Sequence, residues 1–400
     1  MHALKKITMS LAKTGVIMFP ALLLFLCAEF YFSRLLRSGP VLLNSKRQAH
    51  SPRAMGPYAL LANLPAPAGA KIGWRSRMNF EIIPRFPVEK YGDLLLPRAS
   101  TEFTIERRLP AQNGTEPAWT SKLSTDSLRR RVVPANSGKL AKNFVTFFGC
   151  SFTFGLGEDD ANTLPNQLSQ LLPHTNVYNY ALEGGSPAKT LRRFELLPPQ
   201  TEVPESLGIG IYIFIQDQIR RTVNTMSFIG TWGADTPVYE MNGTANQPKY
   251  LGQYQEIFPL KTALFQIFMK SNILRYFRID FPRKYNDEDY QLVALHLEAV
   301  KEKFLENFPN QKFLVVLFPD PFRNLPKLIP ELEKYKIHYL DYSDVPLENY
   351  VSGLVSYPDG HPTPAAYHFV AQQLAADLQS ANWLKRASLP SREVKREESR

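Results

Sequence analysis

Cysteine is nearly missing from this chain: its 400 residues hold two, Cys27 and Cys150. That excludes a disulfide scaffold and a Cys-rich zinc module. There is no HExxH motif, and the seven histidines do not cluster with the cysteines, so no metal and no cofactor is expected. A basic body is missing too. The net charge is +10, but residues 1–53 carry a balance of +7 and residues 385–400 a balance of +3, which leaves 54–384 neutral. A nucleic-acid partner is excluded on that footprint.

What is present is enough apolar chain for a large core. The composition is 44% hydrophobic and 21% charged, which rules out wholesale disorder. Prolines outnumber glycines, 32 to 21, pointing to extended connections and rigid turns rather than flexible linkers. The length predicts one large domain and something smaller.

The first feature along the chain is apolar. Residues 14–28 carry no charge, and Phe30-Tyr31-Phe32 continue the run past Glu29. Aromatic residues at its far end, followed by Arg34 and Arg37, read as an interfacial belt, so a single transmembrane anchor is expected over 14–34 after a basic tail at 1–13. A cleaved signal peptide fits less well, because Leu26 would stand where a small residue is wanted. A lipoprotein site at Cys27 meets the same bulky Leu26. Three lysines precede the span and five basic residues follow it, so the charge count does not support an inside N-terminus.

A linker over 35–54 leads to a small β-rich module over 55–142, read from short or alternating runs such as Thr101-Glu102-Phe103-Thr104-Ile105. Within it, Arg129-Arg130-Arg131 reads as a solvated face or an intrachain ion-pair partner rather than a ligand site. From 143 to 384 the pattern alternates. Strands are expected at 144–148, 177–180, 209–215, 313–318 and 337–340. Helices are expected at 164–172, 187–197, 293–308, 323–334 and 364–378. This β/α alternation predicts a parallel sheet covered on both faces, with its site at the carboxyl ends of the strands. Residues 225–285 break the alternation and are expected to be an insertion over that end. A basic tail closes the chain at 385–400.

Two segments could carry chemistry. Gly149-Cys150-Ser151-Phe152-Thr153-Phe154-Gly155-Leu156-Gly157 follows a strand, so Ser151 is presented on a turn. Taken alone, a polar turn explains it as well. It fails three familiar motifs: the phosphate loop for want of lysine, the dinucleotide fingerprint at Asp160, and the nucleophile elbow at Thr153. The second segment is Tyr357-Pro358-Asp359-Gly360-His361-Pro362-Thr363-Pro364. A serine needs a base, and an imidazole base needs a carboxylate to hold its tautomer. Only His361 has one two residues away in a loop-like segment. His174, His296, His338 and His368 read as surface or packing residues.

Together these segments resemble the SGNH (GDSL-type) hydrolase superfamily, with Cys150 standing where the Gly-Asp-Ser block has Asp. The resemblance covers residues 143–380 and implies a flavodoxin-like three-layer α/β/α domain. It implies Ser151 as nucleophile, His361 as base and Asp359 as its orienting acid. The oxyanion donors would be the amides of Ser151 and Gly184, with Gln216 standing where the family has asparagine. Cys150 is read as an apolar packing residue. The final block is one residue shorter than the family's Asp-x-x-His. The implied activity is a serine ester hydrolase, working through an acyl-enzyme on an ester-bearing glycan or lipid at the cell envelope. An O-acyltransferase of a cell-surface polysaccharide and a non-catalytic glycan-binding protein remain as alternatives. A periplasmic or extracellular body on a single-pass anchor is implied by the resemblance to exported bacterial members alone.

Overall fold

The computed structural model describes residues 24–34, 81–83, 87–108, 117–241, 248–319, 325–357, 359–381 and 383. The expected tails at 1–13 and 385–400, the linker at 35–54 and the first part of the β-rich module lie outside the described residues, as does the 14–23 part of the expected membrane span.

Residues 24–34 form a helix (α1). Five strands follow: β1 (Glu81–Ile83), β2 (Val88–Tyr91), β3 (Leu94–Pro97), β4 (Glu102–Arg108) and β5 (Pro117–Ser124). The next stretch holds β6 (Asn143–Phe148), α2 (Ser151–Phe154), α3 (Leu164–Leu171), β7 (Thr175–Asn179), α4 (Pro187–Leu196) and β8 (Leu207–Phe214). After α5 (Asp217–Thr222), the segment read as an insertion folds as α6 (Met226–Ile229), β9 (Pro237–Glu240), β10 (Lys249–Gln253), α7 (Tyr254–Ile257), α8 (Pro259–Phe268) and α9 (Asn272–Phe277). The chain ends with α10 (Asp287–Asn307), β11 (Lys312–Leu317), α11 (Ile329–Lys334), β12 (His338–Asp341) and α12 (Pro364–Ser380).

Five strands make one all-parallel sheet in the order β12-β11-β8-β6-β7. Counted from its first strand this is the flavodoxin-like 2-1-3-4-5 arrangement. Successive side chains of a strand face opposite ways, and the two faces take different helices. Phe144 and Phe148 pack with α4, α10 and the turn leading into α11. Val145 and Phe147 pack with α3 and α12. Burial on both faces explains why β6 and β8 read as unbroken apolar runs. Among the described residues no helix is long and apolar enough to cross a membrane.

Helix boundaries depart from expectation where capping or proline intervenes. α10 begins at Asp287 rather than near 293, because Asn286 and Asp289 exchange side-chain-to-amide bonds of 2.9 Å in a capping box. The helix expected over 323–334 is described only from Leu325, where it starts as a 3-10 turn, Leu325–Leu328. Pro326 and Pro330 each lack an N–H for the ladder there.

The β-rich segment is one three-stranded antiparallel sheet, β1-β4-β5, and one hairpin, β2-β3. It shares its core with the parallel-sheet body. Ile105, Trp119 and Leu123 pack against Phe154, Leu156 and Ala181. The edge of β5 is closed by two carboxylates of the body. Asp159 accepts from the Lys122 amide at 2.7 Å and Asp160 from the Ser124 amide at 3.0 Å.

The solvated-face reading of Arg129-Arg130-Arg131 is overturned; the ion-pair reading is the correct one. Arg129 pairs with Glu89 at 2.6 Å and Arg130 with Asp126 at 2.7 Å. Arg131 is 1% exposed. Its guanidinium donates to Asp160 at 2.5 Å and to the carbonyls of Phe154, Gly155 and Glu158 at 3.2, 3.1 and 2.6 Å. Burial pushes that guanidinium's pKa down, and Asp160 opposes the shift. A charge run read along the chain cannot reveal that one member turns inward to hold the loop after α2. Removing this side chain takes the charged donor from Asp160 and one donor from each of three carbonyls, so Arg131→Ala should cost roughly 3–5 kcal/mol in urea unfolding. Arg131→Lys should recover little, because one ammonium cannot reach four acceptors.

Candidate active site

The backbone turns sharply at the end of β6. Gly149 has φ +143°, and a Cβ there would lie 2.3 Å from Thr153 Oγ1 and 2.8 Å from the Ile213 carbonyl. Ser151 then opens α2, a single helical turn closed by the Gly155 amide bonding the Ser151 carbonyl at 2.9 Å. First-turn amides have no intrahelical acceptor. Among the described residues, no protein acceptor takes the Ser151 N–H. Cys150, at the N-cap position, is buried among Val145, Phe147 and the α12 side chains, as expected of a packing residue.

The loop before α12 brings the second segment to the same place. His361 Nε2 lies 3.0 Å from Ser151 Oγ, and His361 Nδ1 lies 2.9 Å from Asp359 Oδ2. The one-residue-shorter spacing works because Gly360, at φ +91°, folds the chain back on itself. The Gly360 amide then bonds the Tyr357 carbonyl, and the Tyr357 amide bonds that of His361, both at 2.8 Å. The imidazole packs beside the Phe152 ring, centroids 5.4 Å apart. Tyr367 of α12 donates to the Phe152 carbonyl at 2.7 Å, tying the two loops together.

Two residues at this site could not be anticipated from the sequence. Arg107 of β4 and Trp119 of β5 are cross-strand partners, so their side chains share one face of the sheet. Both reach Asp359 Oδ2, the indole N–H at 2.9 Å and the guanidinium Nε at 3.2 Å. Burial alone would raise the Asp359 pKa. The paired His361, then Arg107 and Trp119, outweigh it and hold the carboxyl far below the usual carboxylate range. The sequence signal was the alternation through Phe103, Ile105 and Arg107, which shows a common face but not what that face meets.

The loop after β7 carries Gly184 at φ +61°, with its N–H taken by no acceptor among the described residues. It abuts the first loop, since the Leu182 amide donates to the Gly149 carbonyl at 3.2 Å. Arg221 of α5 braces it by donating to the Gly185 carbonyl at 2.7 Å and pairing with Asp217. The Trp232 ring, 43% exposed, lies so close over Gly184 that a Cβ there would be 2.7 Å from it. Glu183 is half-buried; burial pushes its carboxyl up, opposed by His361, Arg107, Lys189 and Arg221. Gln216 follows β8 directly, at the start of α5. Its Oε1 is buried with no partner among the described residues, and it makes no hydrogen bond to Ser151, His361 or Asp359. The other four histidines among the described residues fall where expected. His174 and His338 are exposed, His296 is buried with Nδ1 on the Leu292 carbonyl, and His368 meets Gln167.

Glu158, in the loop held by Arg131, is buried. Burial, assisted by Asp159, pushes its carboxyl up to about 7, against hydrogen bonds from Tyr357 and Asn162. A carboxyl whose folded pKa lies above its unfolded one stabilises the fold most at low pH and loses that contribution as pH rises through the folded value. Glu158→Gln should therefore unfold almost with the wild type near about pH 4 and be more stable by on the order of 3 kcal/mol near about pH 8. Urea midpoints at the two pH values measure this; parallel curves would contradict it.

No sequence-family model matches the chain, and no curated protein matches it. Comparison with solved structures does find likenesses. One is a lipolytic protein of the G-D-S-L family from Veillonella parvula, at TM-score 0.36 and 11% identity, covering 59% of this chain and 98% of that one. Another is a carbohydrate acetylesterase family member from Sinorhizobium meliloti, at TM-score 0.31 and 13% identity, covering 60% and 100%. A third is a lipase/acylhydrolase from Enterococcus faecalis, at TM-score 0.31 and 11% identity, covering 60% and 96%.

Proposed function

We propose that this protein is an SGNH-type serine ester hydrolase acting on an acylated glycan or lipid at the cell envelope. The observation that carries the reading is the unbroken hydrogen-bonded chain Ser151–His361–Asp359, with distances of 3.0 and 2.9 Å. Ser151 Oγ attacks the ester carbonyl while His361 Nε2 takes its proton. Asp359 keeps the Nδ1 proton in place and balances the imidazolium that forms. The tetrahedral oxyanion is met by the amides of Ser151 and Gly184, neither of which has an acceptor among the described residues. His361 then returns the proton to the leaving alcohol, and water, deprotonated by the same imidazole, releases the acid. Gln216 is the third candidate donor.

The substrate class rests on the rim. A half-exposed indole over Gly184, with the Arg221 and Arg220 guanidiniums 5.2 and 5.9 Å from its ring centroid, offers an aromatic and cationic rim suited to a sugar ring or an acyl chain. Transfer to a sugar hydroxyl would use the same residues, with the acceptor in the place of water.

Hydrolysis of short-chain p-nitrophenyl esters by the full chain tests the reading. Ser151→Ala and His361→Ala should each lose roughly 10⁴-fold or more in kcat. Gln216→Leu should lose about 10²-fold if its amide meets the oxyanion. Cys150→Ala should stay close to wild type. Turnover that survives Ser151→Ala would overturn the assignment, and acyl transfer to an added glycan in preference to water would select the transferase.

A further inference from the structure

A helix on a globular protein normally turns its apolar side inward. α8 does the reverse. Of its ten residues only Thr262 and Phe265 are buried, while Leu260 is 81% and Ile267 61% exposed, with Leu264 and Phe268 exposed beside them. Just after α9, Phe281 is 64% exposed, and Phe277 and Ile279 are exposed as well. Apolar surface on that scale, presented by neighbouring elements, marks a contact with something other than water.

The elements are held firmly. Phe265 and Met269 press against Gly230, and they form one cluster with Met226, Phe228 and Tyr254. α1 docks on the same insertion. The Glu29 carboxylate accepts from the Asn272 amide at 2.6 Å and from the Ser271 hydroxyl, at the start of α9. The Phe32 ring packs on Tyr276 and Phe277 at 4.9 and 5.3 Å between centroids. α1 adds exposed Leu24, Phe25 and Phe30 to the apolar set. It is also where the uncharged stretch 14–28 arrives.

The charge around the apolar residues is one-sided. Residues 258–285 contain six Lys/Arg and one acid, Asp280, whose carboxylate is already engaged by the Ser227 amide at 2.8 Å and its hydroxyl. Lys261, Lys270, Arg278, Arg283 and Lys284 are all exposed. Two copies of this face brought together would set cation against cation, which disfavours self-association. Apolar side chains ringed by lysine and arginine suit a bilayer with anionic headgroups.

We propose that α8, the 277–281 segment and α1 together form a membrane-seating platform. Its apolar side chains enter the interfacial layer of an anionic bilayer, and its cations bind the headgroup phosphates. The platform reaches the site through packed side chains: Phe265 clusters with Phe228, Phe228 meets the Trp232 ring edge-on at 4.7 Å, and Trp232 covers Gly184. The proposal stands apart from the hydrolase reading, and its test uses no turnover.

The full chain, carrying Cys27→Ser, is reconstituted into phosphatidylcholine vesicles with and without phosphatidylglycerol. Single cysteines at Leu264→Cys, Ile267→Cys and, as a reference on the body, Leu140→Cys are labelled with an environment-sensitive fluorophore; Leu140 is 94% exposed and Cys150 is buried. Quenching by lipids spin-labelled near the headgroup is expected at 264 and 267, stronger with phosphatidylglycerol, and absent at 140. Vesicle-bound protein with no quenching at 264 and 267 would overturn the proposal. So would quenching equal at all three positions. Cross-linking of position 267 between two copies without lipid quenching would assign the face to a second copy instead.

Discussion

A buried carboxylate organises this molecule. The Asp359 side chain is fully buried, so an ionised Asp359 needs donors from the protein, and it draws them from three separate stretches of chain. His361 comes from its own loop, Arg107 from β4 and Trp119 from β5. Breaking any one contact leaves a charge in a low-dielectric setting with fewer partners, a cost of the kind that makes buried pairs all-or-none. The consequence is architectural: the antiparallel sheet is a wall of the site rather than an appendage, and its cross-strand register decides whether the imidazole is held.

The same logic of satisfied polar groups builds the opposite side of the site. Arg131 is spent on the loop that follows Ser151, and Arg221 on the loop that carries Gly184. Both cations are buried and both grip backbone carbonyls. Carbonyl-to-guanidinium bonds from rigid elements stiffen both loops, as the proposed oxyanion role would require. Among the described residues the amides of Ser151 and Gly184 have no acceptor, which leaves them free for the oxyanion role proposed above.

Much of this was legible in the sequence. The strands β6 and β8 announced themselves because burial on both faces makes a strand apolar throughout. Ser151 was legible as the serine two places past the glycine that follows a strand, and His361 as the one histidine with a carboxylate two places away in a loop. Arg107 and Trp119 were not legible, because alternation shows which side chains share a face and says nothing of the partner across it. Arg131 was hidden in a run of three arginines, whose burial depends on an Asp160 placed by a different turn. α8 was not legible either: residues 225–285 read only as an insertion, and nothing in their pattern shows that Leu260, Leu264 and Ile267 face outward.

The shortest route to the central claim is chemical labelling of the full chain with a fluorophosphonate, located by peptide mass spectrometry. An activated serine forms a stable adduct; an ordinary one does not. The account predicts one adduct, on Ser151, that is lost in His361→Ala and weakened in Trp119→Phe. An adduct on Cys150 or elsewhere, or Ser151 labelling indifferent to His361, would contradict it.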